Sequence, residues 1–247
     1  MKWIVLSNST PARLHALLES AKDYLSNLVP EVLAKYKCID TLQAYGRVAS
    51  RFRIHLHGGE DDWRQSLLDI VSAQRTDGKF GQLTLITQDT MLFCGRPDIR
   101  CVWEALKDPN LLGVSLCLSS KSDSTPSIQD RVSGKHTWYV WHWDELRLQS
   151  PLGDAFSYGT VYRTTDLLGT MARCQWDSTE TLRSALCSDP ALRRRTRMAC
   201  LEEASLVDRP ADPFGSTDSY LGNYVIDIAK LQDDPLRYQW RPFKEES

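Results

Sequence analysis

The 247-residue chain has no apolar run long enough to cross a bilayer, no C-x-x-C pair and no large excess of either charge. Each absence removes a class of function. A spanning helix needs about 20 consecutive apolar residues, so any work at a membrane is expected from its surface. Seven cysteines (Cys38, Cys94, Cys101, Cys117, Cys174, Cys187 and Cys200) stand singly and in odd number. That pattern builds neither a disulfide framework nor a zinc ribbon, and a reducing, cytoplasmic setting is expected. The apolar run Trp3 to Leu6 is too short for a signal peptide. With 30 basic and 32 acidic residues intermixed, the net charge is -2 and the basic footprint of a nucleic-acid binder is missing. No G-x-S-x-G elbow, P-loop or G-x-G-x-x-G is found, which weakens hydrolase, nucleoside-triphosphatase and dehydrogenase readings.

What is present is a soluble α/β pattern, 42% hydrophobic, of a size that forms one domain, 1–247. Trp3 to Leu6 reads as a strand. Thr10 and Pro11 then open a helix whose Leu14, Leu17, Leu18, Ala21 and Leu25 share one face. Further strands are expected at Tyr36 to Ile39, Arg53 to His57, Leu83 to Thr87 and Leu112 to Leu118, with helices at Trp63 to Ala73 and Ile99 to Leu106. Strands alternating with helices predict a mostly parallel sheet covered on both faces. The second half predicts an aromatic strand His136 to Trp143 and a strand Phe156 to Tyr162. Helices after Thr164 and Ser178, a short strand Met198 to Leu201 and a last helix near Tyr220 to Leu231 follow. The run Arg193, Arg194, Arg195 and Arg197 reads best as a solvated helix face.

Asp89 stands at the carboxyl end of the buried strand Leu83 to Thr87, where ligands bind in open parallel sheets. A carboxylate there is suited to a hard cation bridging two phosphates, and equally to an ordinary turn or cap.

Several short blocks, in order, resemble a group of small bacterial and viral GT-A-fold glycosyltransferases. They are Trp3 to Leu25, Tyr45-Gly46, Glu60-Asp61-Asp62-Trp63, Leu83 to Phe93, Tyr139-Val140-Trp141-His142-Trp143, Gly159-Thr160-Val161-Tyr162-Arg163-Thr164 and Met198-Ala199-Cys200-Leu201-Glu202. Together they extend over roughly nine tenths of the chain. The resemblance implies a single GT-A-like domain, with residues 1–118 as the nucleotide-binding half and 135–247 as the acceptor-side half. It implies transfer of a sugar, with inversion, from a nucleotide-diphosphate donor to a carbohydrate or lipid-linked acceptor, with a divalent metal (Mn2+ or Mg2+) at Asp89. The family's acidic motif carries two carboxylates, whereas here it reads Gln88-Asp89-Thr90, and the family's acid before the glycine is Tyr158.

Sugar transfer needs charge stabilisation on the leaving diphosphate, a base on the acceptor hydroxyl and an oriented sugar. Arg163 offers a guanidinium for the diphosphate, or else a structural ion pair. Asn8, Ser9 and Asp40, each after an expected strand, are candidates to hold the nucleoside, or plain turn residues. Asp154 and then Glu180 are the candidate bases, each with a loop or helix-start alternative. Trp143 is the candidate sugar platform, the resemblance adds Gly159 as a substrate-binding residue, and most of the other rings of the Trp143 strand are expected in the core.

Overall fold

The computed structural model describes residues 1–8, 10–36, 38–58, 63–73, 82–119, 130–133, 137–142, 157–208, 218–221 and 224–227. Its strands are β1 (Lys2–Asn8), β2 (Glu31–Lys35), β3 (His55–Gly58), β4 (Leu83–Gln88), β5 (Met91–Phe93), β6 (Leu111–Ser119), β7 (Asp130–Ser133), β8 (Thr137–His142), β9 (Thr160–Arg163), β10 (Arg197–Leu201), β11 (Leu206–Asp208), β12 (Asp218–Leu221) and β13 (Tyr224–Asp227). The helices are α1 (Pro11–Ala21), α2 (Ile39–Arg51), α3 (Trp63–Ser72), α4 (Ile99–Ala105), α5 (Thr164–Arg173), α6 (Thr179–Ser188) and α7 (Pro190–Arg193).

Nine strands form one sheet in the order β3-β2-β1-β4-β9-β6-β10-β8-β7. The first four are mutually parallel. β9 enters antiparallel to both β4 and β6, β10 returns parallel to β6, and β8 runs against β10 and β7. Seven of these nine strands, all but β8 and β9, therefore point one way, as the mostly parallel pattern predicts. Neighbouring Ile4 and Val5 point to opposite faces and are both fully buried, so β1 is covered on both sides. The same holds for Leu85 and Ile86 on β4.

The chain lays β2 and β3 outward on one side of β1, then returns to place β4 on the other. This reversal makes the carboxyl ends of β1 and β4 a topological switch point, the position at which open α/β sheets bind ligands.

Three expectations are corrected. The second strand is Glu31–Lys35 rather than Tyr36 to Ile39, with Val32, Leu33 and Ala34 buried. Charged residues at both ends hide that short apolar centre from a pattern search. Where the last helix is expected, β12 and β13 pair antiparallel with Leu221 opposite Tyr224, and the sequence between them, Gly-Asn, is a two-residue hairpin signal. The arginine run is not a uniform solvated face. Arg194 is exposed, but Arg195 donates to the Pro109 carbonyl at 2.6 Å and pairs with Asp166 at 2.8 Å.

On α1, His15 is fully buried against the edge of the Phe52 ring, and neither ring nitrogen meets a hydrogen-bond partner among the described residues. Burial first, and Arg51 second, lower its pKa from 6.5 to about 4. Between those values the unfolded chain holds a proton that the folded chain does not, so stability is lost as the pH falls through that window. The loss attributable to His15 should reach roughly 3 kcal/mol near pH 4. His15→Leu should abolish this part of the slope and add about 1 kcal/mol at neutral pH by removing unpaired buried nitrogens. Urea melts of both proteins at pH 7 and pH 4.5 check this. Parallel pH profiles would contradict it.

Candidate functional site

A cleft of about 320 Å³ opens at the switch point, lined by residues of β1 and the loop after it, α1, the end of β2, Trp63 and the turn Gln88-Asp89-Thr90. Asp177 and Ser178, just before α6, complete the wall. Asn8 is exposed in it, and Arg13 and Lys35 contribute two positive charges from separate elements.

The carboxylate at its floor is built in. Asp89 is 7% exposed, and its Oδ2 accepts a hydrogen bond from Ser7 Oγ at 2.5 Å and another from Thr10 Oγ1. The Asn8 backbone N–H also donates to the carboxylate. Burial pushes the Asp89 carboxyl above the usual carboxylate range, while the Ser7 and Thr10 hydroxyls and the Arg13 charge act against that. Behind it, fully buried Tyr45 sits 2.6 Å from Ser7 Oγ and accepts from the Thr10 N–H at 3.1 Å. Because Ser7 donates to Asp89, the phenol donates to Ser7, and burial keeps it protonated by raising its pKa to about 12. The β1–α1 loop is thus pinned by one chain of hydrogen bonds running from Tyr45 through Ser7 to Asp89.

This donor set does not fit a divalent ion. A hard cation takes six or more oxygens, whereas among the described residues the turn after β4 offers one carboxylate, whose Oδ2 already accepts from the Ser7 and Thr10 hydroxyls. Among the described residues no three His, Cys, Asp or Glu side chains converge. The cleft's other carboxylate, Asp177, is exposed, and its Oδ1 accepts from Thr181 Oγ1 at 2.9 Å.

Of the other sequence candidates, Arg163 is corrected. It pairs with Leu83, at the opposite end of β4 from the cleft. Its guanidinium donates to the carbonyls of Leu106, Leu111 (2.7 Å) and Asp108 (2.6 Å) and pairs with Asp166 at 3.2 Å. These bonds knit β9 to the segment between α4 and β6, so the structural alternative applies. Asp40 is corrected too, because the expected strand before it is part of a loop and the start of a helix. It lies exposed in the first turn of α2, where an acid favours the helix dipole, and does not line the cleft.

Gly159 is buried rather than open to a sugar, with φ +77. Its N–H donates to the Ile86 carbonyl at 2.8 Å, and its carbonyl accepts from Leu116 N at 2.9 Å, which bridges β4 to β6. Glu180 lies in the first turn of α6, beside the cleft-lining Ser178, and its side chain is outside the described residues. Ser9, Trp143 and Asp154 are outside them as well. On β8, Trp138 and Trp141 are core residues, as expected of that strand.

Sequence reasoning missed Arg13, Lys35 and the Tyr45 anchor as parts of the cleft. A faint signal existed for Arg13, a cation in the first turn of a helix that follows directly on the first strand.

No family model and no curated protein sequence matches the chain. Solved structures do. TarS of S. aureus superposes on 84% of this chain with a TM-score of 0.52 at 12% identity. Residues 1–349 of TarS in complex with UDP superpose on 84% of it with a TM-score of 0.53 at 13% identity. The fold is that of the GT-A nucleotide-diphospho-sugar transferases. At such identity the likeness establishes the GT-A fold alone. The chain spans 36% of the first TarS chain and 60% of the second. Among the described residues of this GT-A domain no helix is long and apolar enough to cross a membrane.

Proposed function

We propose that this GT-A domain is a glycosyltransferase that moves a sugar, with inversion, from a nucleotide-diphosphate donor to a carbohydrate or lipid-linked acceptor. The observation that carries the reading is the cleft at the β1/β4 switch point, which pairs a pinned β1–α1 loop with Arg13 and Lys35. That is the chemistry a diphosphate needs: cations to hold its charge and a rigid backbone to set its position. UDP in the structurally similar TarS 1–349 supports a nucleotide as the occupant.

In this reading Asn8 and Ser9 contact the nucleoside, Asp154 or Glu180 takes the acceptor proton, and Trp143 offers a ring face to the sugar. Residues 1–118 bind the nucleotide and 135–247 meet the acceptor, with Asp177 and Ser178 bringing the second half to the edge of the donor cleft.

A second reading, a non-catalytic GT-A domain that binds a nucleotide sugar, is favoured by one observation, the enclosure of Asp89 by the β1–α1 loop. A panel of uridine-, guanosine-, cytidine- and thymidine-diphosphate sugars separates the two, with nucleoside diphosphate release measured for each. Transferase action predicts release, at least slow hydrolysis, from one donor class. Saturable binding without release supports the second reading, and neither binding nor release contradicts both.

A further inference from the structure

We propose that the diphosphate of the donor is held in this cleft by Arg13 and Lys35 without a divalent cation, an inference that rests on the nucleotide-sugar reading of the site. Three observations lead to it. The carboxylate standing where a metal ligand is expected accepts from two hydroxyls and a backbone N–H, all from the β1–α1 segment. Its work is to position: it fixes Ser7, Asn8 and Thr10, and with them the start of α1.

The second observation is the placement of the cations. Arg13 comes from the first turn of α1 and Lys35 from the last residue of β2, and both line the same cleft. A diphosphate diester carries about two negative charges, and a guanidinium fork and an ammonium each meet phosphate oxygens with charge-assisted hydrogen bonds. The third is the helix geometry. α1 starts beside the cleft, which Thr10 and Arg13 line, and Ser178, the N-cap of α6, lines it too. The N-terminal ends of two helices of 11 and 10 residues thus lie at the cleft, where their dipoles favour an anion.

Arg13 does two things in this arrangement. Its charge favours the ionised form of the buried Asp89 and so keeps the loop pinned, and its position presents a phosphate ligand at the cleft. The two roles are separable by measurement, because loss of pinning lowers stability whereas loss of a phosphate contact lowers affinity at unchanged stability.

The test is calorimetric titration of the intact protein with UDP, GDP, CDP and TDP, each in EDTA and again in excess Mn2+. One of these nucleotides should bind with an affinity that EDTA leaves within about twofold, a difference well under 1 kcal/mol. Lys35→Gln and Arg13→Gln should each weaken that binding about tenfold or more, the scale of one charge-assisted hydrogen bond. Arg13→Lys, which keeps the charge and loses the fork, should fall between. Thermal melts run alongside show whether each variant is folded, and the EDTA comparison on the unaltered protein does not depend on any variant.

Binding that appears only with Mn2+ overturns the inference and leaves the transferase reading intact. Metal-free binding that folded Lys35→Gln and Arg13→Gln both retain in full overturns the assignment to these residues. Failure of all four nucleotides to bind in either condition overturns the inference and the transferase reading together.

Discussion

Lys2→Met should destabilise the protein by about 3 to 5 kcal/mol, although it changes one residue at the start of an interior strand and keeps the apolar length of the side chain. Lys2 is 2% exposed, and its Nζ donates to the carbonyls of Ile70 (2.6 Å), Val71 (2.6 Å) and Ala73 (2.7 Å). These carbonyls belong to the end of α3, where the last turn of a helix has no intrahelical donors and carries partial negative charge. One ammonium thus caps α3 from the first strand and ties a helix to the sheet. Methionine leaves the carbonyls inside without a donor, which costs far more than the lost charge would at a surface. For a domain of this size the melting temperature should fall on the order of 10 °C. A fall of only one or two degrees in a circular-dichroism melt would mean that the capping is energetically idle.

The second large effect is expected at Gly159. A Cβ placed there would lie 2.3 Å from Cys117 Sγ, and the backbone φ of +77 is costly for an L-residue. Gly159→Ala should therefore cost the roughly 1 to 2 kcal/mol of the left-handed conformation plus the overlap with Cys117, about 3 kcal/mol or more together. Adding Cys117→Ala removes the sulfur and should recover the overlap while leaving the conformational part. Urea melts of the two single variants and the double variant complete a cycle that reads this coupling directly. Additive losses would show that the two residues do not meet.

Much of the frame was legible because burial on both faces leaves a mark in the chain. Trp3 to Leu6 in β1 and Leu83 to Thr87 in β4 are unbroken apolar or β-branched runs, and Asp89 falls just after the second, so its place at the carboxyl end of a buried strand follows from pattern alone. The same reasoning could not show which way its carboxylate turns. That depends on Ser7, Thr10 and Tyr45, which come together from 82, 79 and 44 positions away in sequence.

Arg163 shows the converse. Its guanidinium suggested a phosphate ligand, but a side chain that pairs with β4 five residues from its cleft end is at the wrong end of the sheet, and only the antiparallel entry of β9 reveals it. Lys2 was illegible for a third reason. A lysine beginning a strand reads as a polar edge, and nothing local announces that it reaches carbonyls some 70 positions away. Where a residue's role is set by its own element, sequence was sufficient; where it is set by what a distant element lacks, it was not.

In the proposed function the β1/β4 switch point is the donor site for a nucleotide diphosphate. A crystal structure with the nucleoside diphosphate selected by calorimetry tests it most directly. The diphosphate is expected in the cleft between Ser7 and Thr90, with oxygens within about 3 Å of the Arg13 guanidinium and the Lys35 ammonium. Asp89 should still be bonded to Ser7 and Thr10. A nucleotide bound elsewhere on the molecule, with this cleft empty, would contradict it.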